Sequence, residues 1–331
     1  MSAARRRLAM LGGATICALA LSASVGASGI GPVELLRGVL SHADPVTRAI
    51  LFELRLPRAV LAALVGAALG LSGCTFQALL RNPLAEPYVL GISGGAALGA
   101  VGAVVAGVST QLPWTLPLGA FLGALLATAV VLGIARRTAE NGMDTRAVIL
   151  AGVVAGAFFN AFILLLLSMA DAESFRAAVF WMMGNLSGAS WSTNAFLLLL
   201  LVPTSLLILA LARSFDLLAR GEEVAFHLGV SVPRVKLTAY LAGSLMVAGA
   251  VAAAGIIGFV GLIVPHAVRI AWGSEHRFLL PASMLAGSGF LLMADTVARV
   301  VAAPAELPTG VITALAGVPV FLVLLVKKGA A

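Results

Sequence analysis

Three arginines offer the most chemistry in this chain. Arg55 and Arg58 flank Leu56-Pro57 just ahead of a long apolar run, and Arg299 closes another such run. Guanidinium forks bind carboxylates bidentately, so arginines placed this way could receive an acidic partner. The plainer alternative is anchoring at a membrane boundary, with the apolar stem snorkelling. Asp295 lies four residues before Arg299, a spacing that pairs and orients side chains on a helix. A second group is Gly221-Glu222-Glu223-Val224-Ala225-Phe226-His227-Leu228-Gly229, with Pro233 just beyond. It reads as a short amphipathic helix bounded by glycines, with Val224, Ala225 and Leu228 on one face. Its adjacent glutamates are not the Lys-rich face that anionic lipid favours, so a protein-docking role fits better. A third is the turn Arg81-Asn82-Pro83-Leu84-Ala85-Glu86-Pro87, whose prolines end one helix and set the start of the next. A turn this stiff moves as a unit, which makes Asn82 and Pro83 candidates for a gate.

Several chemistries are missing. The four histidines (His42, His227, His266, His276) are scattered. His266, beside Pro265 and near Arg269, reads as a structural residue rather than a metal ligand, because metal ligands cluster. Cys17 and Cys74 sit in apolar runs as small core residues. No GxxxxGK[ST] phosphate loop occurs; the lysines are Lys236, Lys327 and Lys328, and none follows a glycine. No charge relay falls mid-run, where an ion-coupled carrier would hold a carboxylate. No nucleophile and base face each other as an intramembrane hydrolase would require. The chain is expected to perform no catalysis and to hold no cofactor or metal of its own.

The elements that must position these groups follow from composition. Of 331 residues, 61% are hydrophobic and 11% charged, with mean hydropathy +1.07. A soluble domain carries about 25% charged residues, so the expectation is an all-α integral membrane protein, one domain over residues 1–331. Roughly 20 apolar residues cross the hydrocarbon core. Spans are read near 8–28, 59–80, 88–108, 114–135, 147–170, 192–212, 236–254, 256–270, 279–298 and 309–327. The eighth is short, as suits a helix sheltered by neighbours. Placing the N-terminus inside puts 15 of the 21 Lys and Arg residues in inner segments, and the positive-inside rule selects that topology, with both termini cytoplasmic. The net charge of +7 is spread as a membrane protein spreads it, and no nucleic-acid partner is implied. The Arg5–Arg7 run ahead of an apolar stretch and Ser22-Ala23-Ser24 imitates a secretory leader, and is read here as the first span. Residues 29–58 are too polar to span and are expected as short helices on the outer surface. Residues 171–187 include Ala177–Leu186, too short to cross, and read as a re-entrant or interfacial helix. Residues 213–235 form the longest inner loop. Small-xxx-small pairs such as Gly66/Gly70, Gly95/Gly99, Gly119/Gly123 and Gly152/Gly156 allow close helix approach in lipid.

In this order the segments resemble the FecCD-type permeases of ATP-binding cassette (ABC) importers for iron-siderophores, haem and cobalamin. The words are Arg55-Leu-Pro-Arg58, Gly73 with Gln77, Arg81-Asn-Pro-Leu-Ala-Glu-Pro87 and Leu90-Gly-Ile-Ser-Gly-Gly-Ala96. Trp181 with Gly184, the Gly221–Gly229 loop, Gly258-Phe-Val-Gly-Leu-Ile-Val-Pro-His266 with Arg269, and Glu306-Leu-Pro-Thr-Gly310 complete them. The likeness runs from about Arg55 to Phe321. It implies ten helices per subunit, the large-substrate (type II) importer class, and a homodimer around a central path in a bacterial inner membrane. It implies that Gly221, Glu222, Glu223, Ala225, Leu228 and Gly229 belong to a coupling helix seated in a separate ATPase, which carries ATP and Mg. It implies that Arg55, Arg58 and Arg299 receive acidic residues of a periplasmic binding protein. Asn82, Pro83, Arg176, Trp181 and Pro265 are the expected gate or pathway residues. Thr309 stands where a small apolar residue is common, and Asn185 replaces a frequent Ser; neither is expected to alter a charged docking site. The rivals are an ion-coupled secondary transporter, which would work without an ATPase, and a structural membrane protein.

Overall fold

The structure is a computed structural model describing residues 3–26, 45–137 and 144–329. Among the described residues there is no strand. The helices are α1 (Ala3–Ser24), α2 (Leu56–Leu79), α3 (Ile92–Val105), α4 (Thr115–Arg137), α5 (Thr145–Met169), α6 (Ala172–Met182) and α7 (Trp191–Ala210). They continue as α8 (Ala212–Leu218), α9 (Glu222–His227), α10 (Val232–Ala254), α11 (Val260–Trp272), α12 (His276–Val300) and α13 (Thr309–Gly329). Among the described residues seven helical stretches are long and apolar enough to cross a membrane; Ile92–Val105, Val260–Trp272 and Thr309–Val323 are shorter apolar stretches.

Two of the expected segments differ from their sequence reading. Residues 29–44 of the expected outer surface helices lie outside the described residues. Residues 45–55 are not a separate surface element, because Pro45–Ala49 and a π-helical Ile50–Arg55 run directly into α2. The re-entrant helix begins at Ala172 rather than Ala177, since the Asp171 carboxylate accepts from the Glu173 and Ser174 amides and starts it early. Gly184, at φ 73°, turns the chain after it.

α2 is the axis of the bundle. It packs on α12, α10, α11 and α7, while α3 packs on α4 and α5, and α10 touches both groups. The closest crossings are backbone to backbone. A Cβ on Gly66 or Gly70 would overlap the Gly287 or Ser283 carbonyl of α12, and one on Gly73 would overlap Gly261 of α11. Gly95 and Gly99 meet Gly123 and Gly119 between α3 and α4 in the same way. In lipid no hydrophobic force drives helices together, so this intimacy supplies the dispersion contacts that hold them.

Two chain breaks shape the interior. α2 ends in a Schellman turn: the Asn82 amide donates to the Gln77 carbonyl (3.1 Å) and the Arg81 amide to that of Ala78 (3.3 Å). The left-handed position falls on Arg81, at φ 49°, where glycine is usual. The chain then makes one helical turn, Pro87–Leu90, before α3. The second break is Gly255–Phe259, between α10 and α11, with Phe259 also left-handed at φ 68°. Unpaired backbone is expensive away from water, and side chains of the first break serve the second. Tyr88 Oη donates to the Ile257 carbonyl (3.0 Å) and accepts from the Ile257 amide (3.3 Å), while Glu86 Oε1 accepts from the Phe259 amide (3.1 Å).

Candidate functional site

The loop between α8 and α10 carries the exposed chemistry. Gly221 (φ 122°) and Gly229 (φ 85°) bracket α9 with backbone that side chains resist, so both glycines are required where they stand. The expected face of Val224, Ala225 and Leu228 is corrected by the structure. Ala225 is fully buried, while Val224, Leu228 and Phe226 are exposed, Phe226 by 66%. A helix of six residues is too short to carry a full amphipathic stripe; it turns its small residue inward and its large ones outward. The sequence reading omitted Phe226, although its size beside Ala225 was a usable signal.

The two glutamates part company. Glu223 is exposed. Glu222 turns back to the bundle, with Oε1 2.7 Å from Lys236 Nζ at the foot of α10 and 3.6 Å from Arg81 Nη2 in the turn after α2. Lys236 is only 3% exposed. In that turn, the Asn82 carboxamide accepts from the Leu84 amide (3.0 Å) and fixes the entry to Pro83. Burial pushes the Glu86 carboxyl above the ordinary carboxylate range, against the lowering pull of the Phe259 amide.

Pro265 lies in the first half of α11. Lacking an N–H, it frees the Gly261 carbonyl four residues earlier. Gln77 Nε2 from α2 reaches that carbonyl (3.4 Å) and the Leu262 carbonyl (3.0 Å), and its Oε1 accepts from Arg269 Nη1 (3.0 Å). The pairing of Gly73 and Gln77 in the sequence is thus a packing contact and a hydrogen-bond repair, one turn apart on the same helix. Among the described residues no three metal-ligating side chains gather.

The three arginines expected to receive an acidic partner are themselves held inside the bundle: Arg55 and Arg299 are buried, and Arg58 is 11% exposed. Their shared centre is Asp295, itself 0% exposed. Arg58 Nε lies 3.1 Å from both Asp295 oxygens and its Nη2 3.0 Å from Oδ1, while its Nη1 donates to Glu306 Oε2 at 2.7 Å. Arg299 Nε sits 3.1 Å from Asp295 Oδ2, the helical pair expected from the spacing. Its other nitrogens donate to the Val25 and Ser22 carbonyls at 2.7 and 2.8 Å. Arg55 donates to the Ser24 carbonyl at 3.0 Å. Thr309 Oγ1 donates to Asp295 Oδ1 at 3.1 Å, so this departure from the family wording does touch the charged cluster. Buried guanidiniums need carboxylates and carbonyls close by; the cluster binds the ends of α1, α2 and α12 to the start of α13.

An apolar recess of about 520 Å³ is lined by Met182, Met183, Ile256 and one face of α13. Trp181 stands just before it on α6, half-buried, with its carbonyl against Gly255; Arg176 is exposed a turn and a half earlier. Gly310 packs on the Met183 and Ile256 carbonyls, so α6, the Gly255–Phe259 break and α13 meet there. The wall of the recess is made of small and flexible apolar side chains.

Known proteins share this design. The chain is 41% identical over 315 residues to a vitamin B12 import system permease protein of Escherichia coli, covering 95% of this chain and 93% of that one. It is 41% identical to a hemin transport system permease protein of Yersinia pestis (84% of each chain). It is 44% identical to an ABC transporter permease protein of Bacillus subtilis (88% and 82%). A solved metal-chelate type ABC transporter, in an inward-facing conformation, superposes with TM-score 0.85 at 34% identity over 98% of this chain and 99% of that one. The FecCD transport family profile matches residues 14–327. With a family profile over residues 14–327 and these relatives, this helical multi-pass membrane chain belongs to the FecCD transport family.

Proposed function

We propose that the chain is the permease subunit of an ATP-driven importer in a bacterial inner membrane, with both termini cytoplasmic. Two copies form the path, and two ATPase subunits, which carry ATP and Mg, drive it. A periplasmic binding protein delivers the cargo, an iron-siderophore or related metal chelate such as cobalamin or haem. The permease itself holds no cofactor and catalyses nothing. The observation that carries this reading is α9: Val224, Phe226 and Leu228 stand exposed on a short inner-loop helix of a chain that has no nucleotide loop of its own. Exposed aromatic and aliphatic side chains on a rigid stub are what a partner's groove takes up. The names of the relatives support the cargo class. The Arg55, Arg58 and Arg299 cluster forms the rim on which the binding protein sits.

The cycle is mechanical. ATP closes the two ATPases, α9 is dragged, and the bundle changes which end of its cavity is open; only the differential affinity of the nucleotide states shifts that equilibrium. The test is uptake of labelled chelate into proteoliposomes containing the chain, its binding protein and its ATPase. Uptake is expected only with all three and ATP, and Phe226→Asp should abolish recruitment of the ATPase. Uptake by the chain alone on a proton gradient would establish the secondary-transporter reading instead.

A further inference from the structure

Glu222 and Glu223 are neighbours in sequence and would both be assigned to the ATPase-facing surface. The geometry separates them. Glu223 is exposed, whereas Glu222, its side chain 37% exposed, makes a 2.7 Å ion pair with Lys236, a lysine that is 3% exposed, and lies 3.6 Å from Arg81. Lys236 also reaches Thr145 Oγ1 at 3.4 Å, so the first turns of α5 and α10 and the start of α9 are drawn to one point. A buried ammonium depends on a carboxylate partner, because hydrocarbon and protein interior do not solvate it. α9 also packs on α8, with Ala225 as its one buried side chain, and it reaches α10 less extensively, so the ion pair is its charged link to that helix. α10, by contrast, is a single unbroken helix from this point to the Gly255–Phe259 break beside the apolar recess.

We infer that Glu222 is a positioning residue, an internal anchor through which movement of α9 is passed to the foot of α10, and not part of the surface that meets the ATPase. The inference rests on the proposed function only for its consequence in transport; the anchor itself is a property of the permease. Arg81, at the left-handed position that ends α2, adds a second, more exposed and weaker contact to Glu222. Pulling α9 then displaces α10 and the turn after α2 together. Those two elements reach the helix break from opposite sides, α10 by continuity and the turn through Tyr88 and Glu86.

The experiment has two arms. In the purified permease alone, a nitroxide label at the exposed position Phe226 reports the mobility of α9. Glu222→Gln and Lys236→Gln should each mobilise the label, and the exchange pair Glu222→Lys with Lys236→Glu should order it again. Glu223→Gln should leave it unchanged. In proteoliposomes with the ATPase and binding protein, and without the label, Glu222→Gln should keep ATPase affinity within twofold while chelate imported per ATP hydrolysed falls at least fivefold, with recovery in the exchange pair. Unchanged label mobility in both single variants overturns the inference. So does a loss of ATPase affinity with import per ATP preserved, which would place Glu222 on the partner-facing surface. If no ATPase couples to the unaltered chain, the proposed function fails, and the label arm still decides the anchor.

Discussion

Asp295→Asn puts the outer cluster to a quantitative test. Asp295 is fully buried and faces two guanidiniums within 3.1 Å, Arg58 bidentately and Arg299 through Nε. Asparagine keeps the volume but removes the charge and turns one acceptor oxygen into a donor. Arg58 then keeps only Glu306 as a carboxylate partner, which is 40% exposed, and Arg299 keeps only carbonyls and hydroxyls. Breaking a buried pair by removing one partner costs about 3–5 kcal/mol, because the other charge stays buried without compensation. Thermal or denaturant unfolding of the detergent-solubilised chain, relative to the unaltered one, should show a loss in that range. Replacing all three members with apolar residues of similar volume, Arg58→Met, Asp295→Leu and Arg299→Met, should recover most of it. A loss below about 1 kcal/mol for Asp295→Asn would refute the reasoning, since exposed pairs are worth no more than that. It would return the arginines to the role of open docking groups.

Tyr88→Phe strips both hydrogen bonds from the Ile257 peptide and should destabilise the chain by about 1–3 kcal/mol, with a matching fall in chelate uptake. Glu86, raised above its ordinary value in the folded chain, binds its proton more tightly folded than unfolded. Its contribution to stability is therefore full below the unfolded carboxylate range and is lost as pH rises through the folded value. Glu86→Gln should keep the bond from the Phe259 amide and flatten that part of the stability–pH profile, as read by unfolding at a series of pH values. Gly73→Ala places a methyl group into Gly261 of α11, where backbone cannot yield; folded yield should collapse, whereas Gly102→Ala, with open space around it, should be neutral.

Much of this was legible in the sequence because it is local. Long apolar windows announce helices, Gly255 and Pro87 announce breaks, and the four-residue spacing of Asp295 and Arg299 announces their pair. What lay hidden depends on contacts between distant segments. Arg58 and Asp295 are 237 residues apart, and Tyr88 and Ile257 are 169 apart, so no spacing reveals that they meet. The direction of an arginine at a helix end is equally silent: the same Arg55-Leu-Pro-Arg58 wording serves an open fork or a buried clamp, and burial decides. In α9 the periodic face was misjudged because one and a half turns leave too few positions for periodicity to outweigh side-chain size. Glu222 and Glu223 differ only in the azimuth at which each leaves the helix, and Lys236 selects which of them turns inward.

The crossings of α2 with α12 and of α3 with α4 are made by main chain, with hydrogen in place of side chains at Gly66, Gly287, Gly99 and Gly119. A contact of this kind has no rotamers to freeze. Ordering a buried long side chain forfeits up to about 2 kcal/mol of entropy, and glycine forfeits none from its side chain. Once the helices themselves exist, bringing them together costs almost no further disorder, and the association leans on dispersion, which changes little with temperature. Such a bundle should keep its pairs intact across the growth range of its host, leaving the thermal variation of the transporter to its loops and breaks.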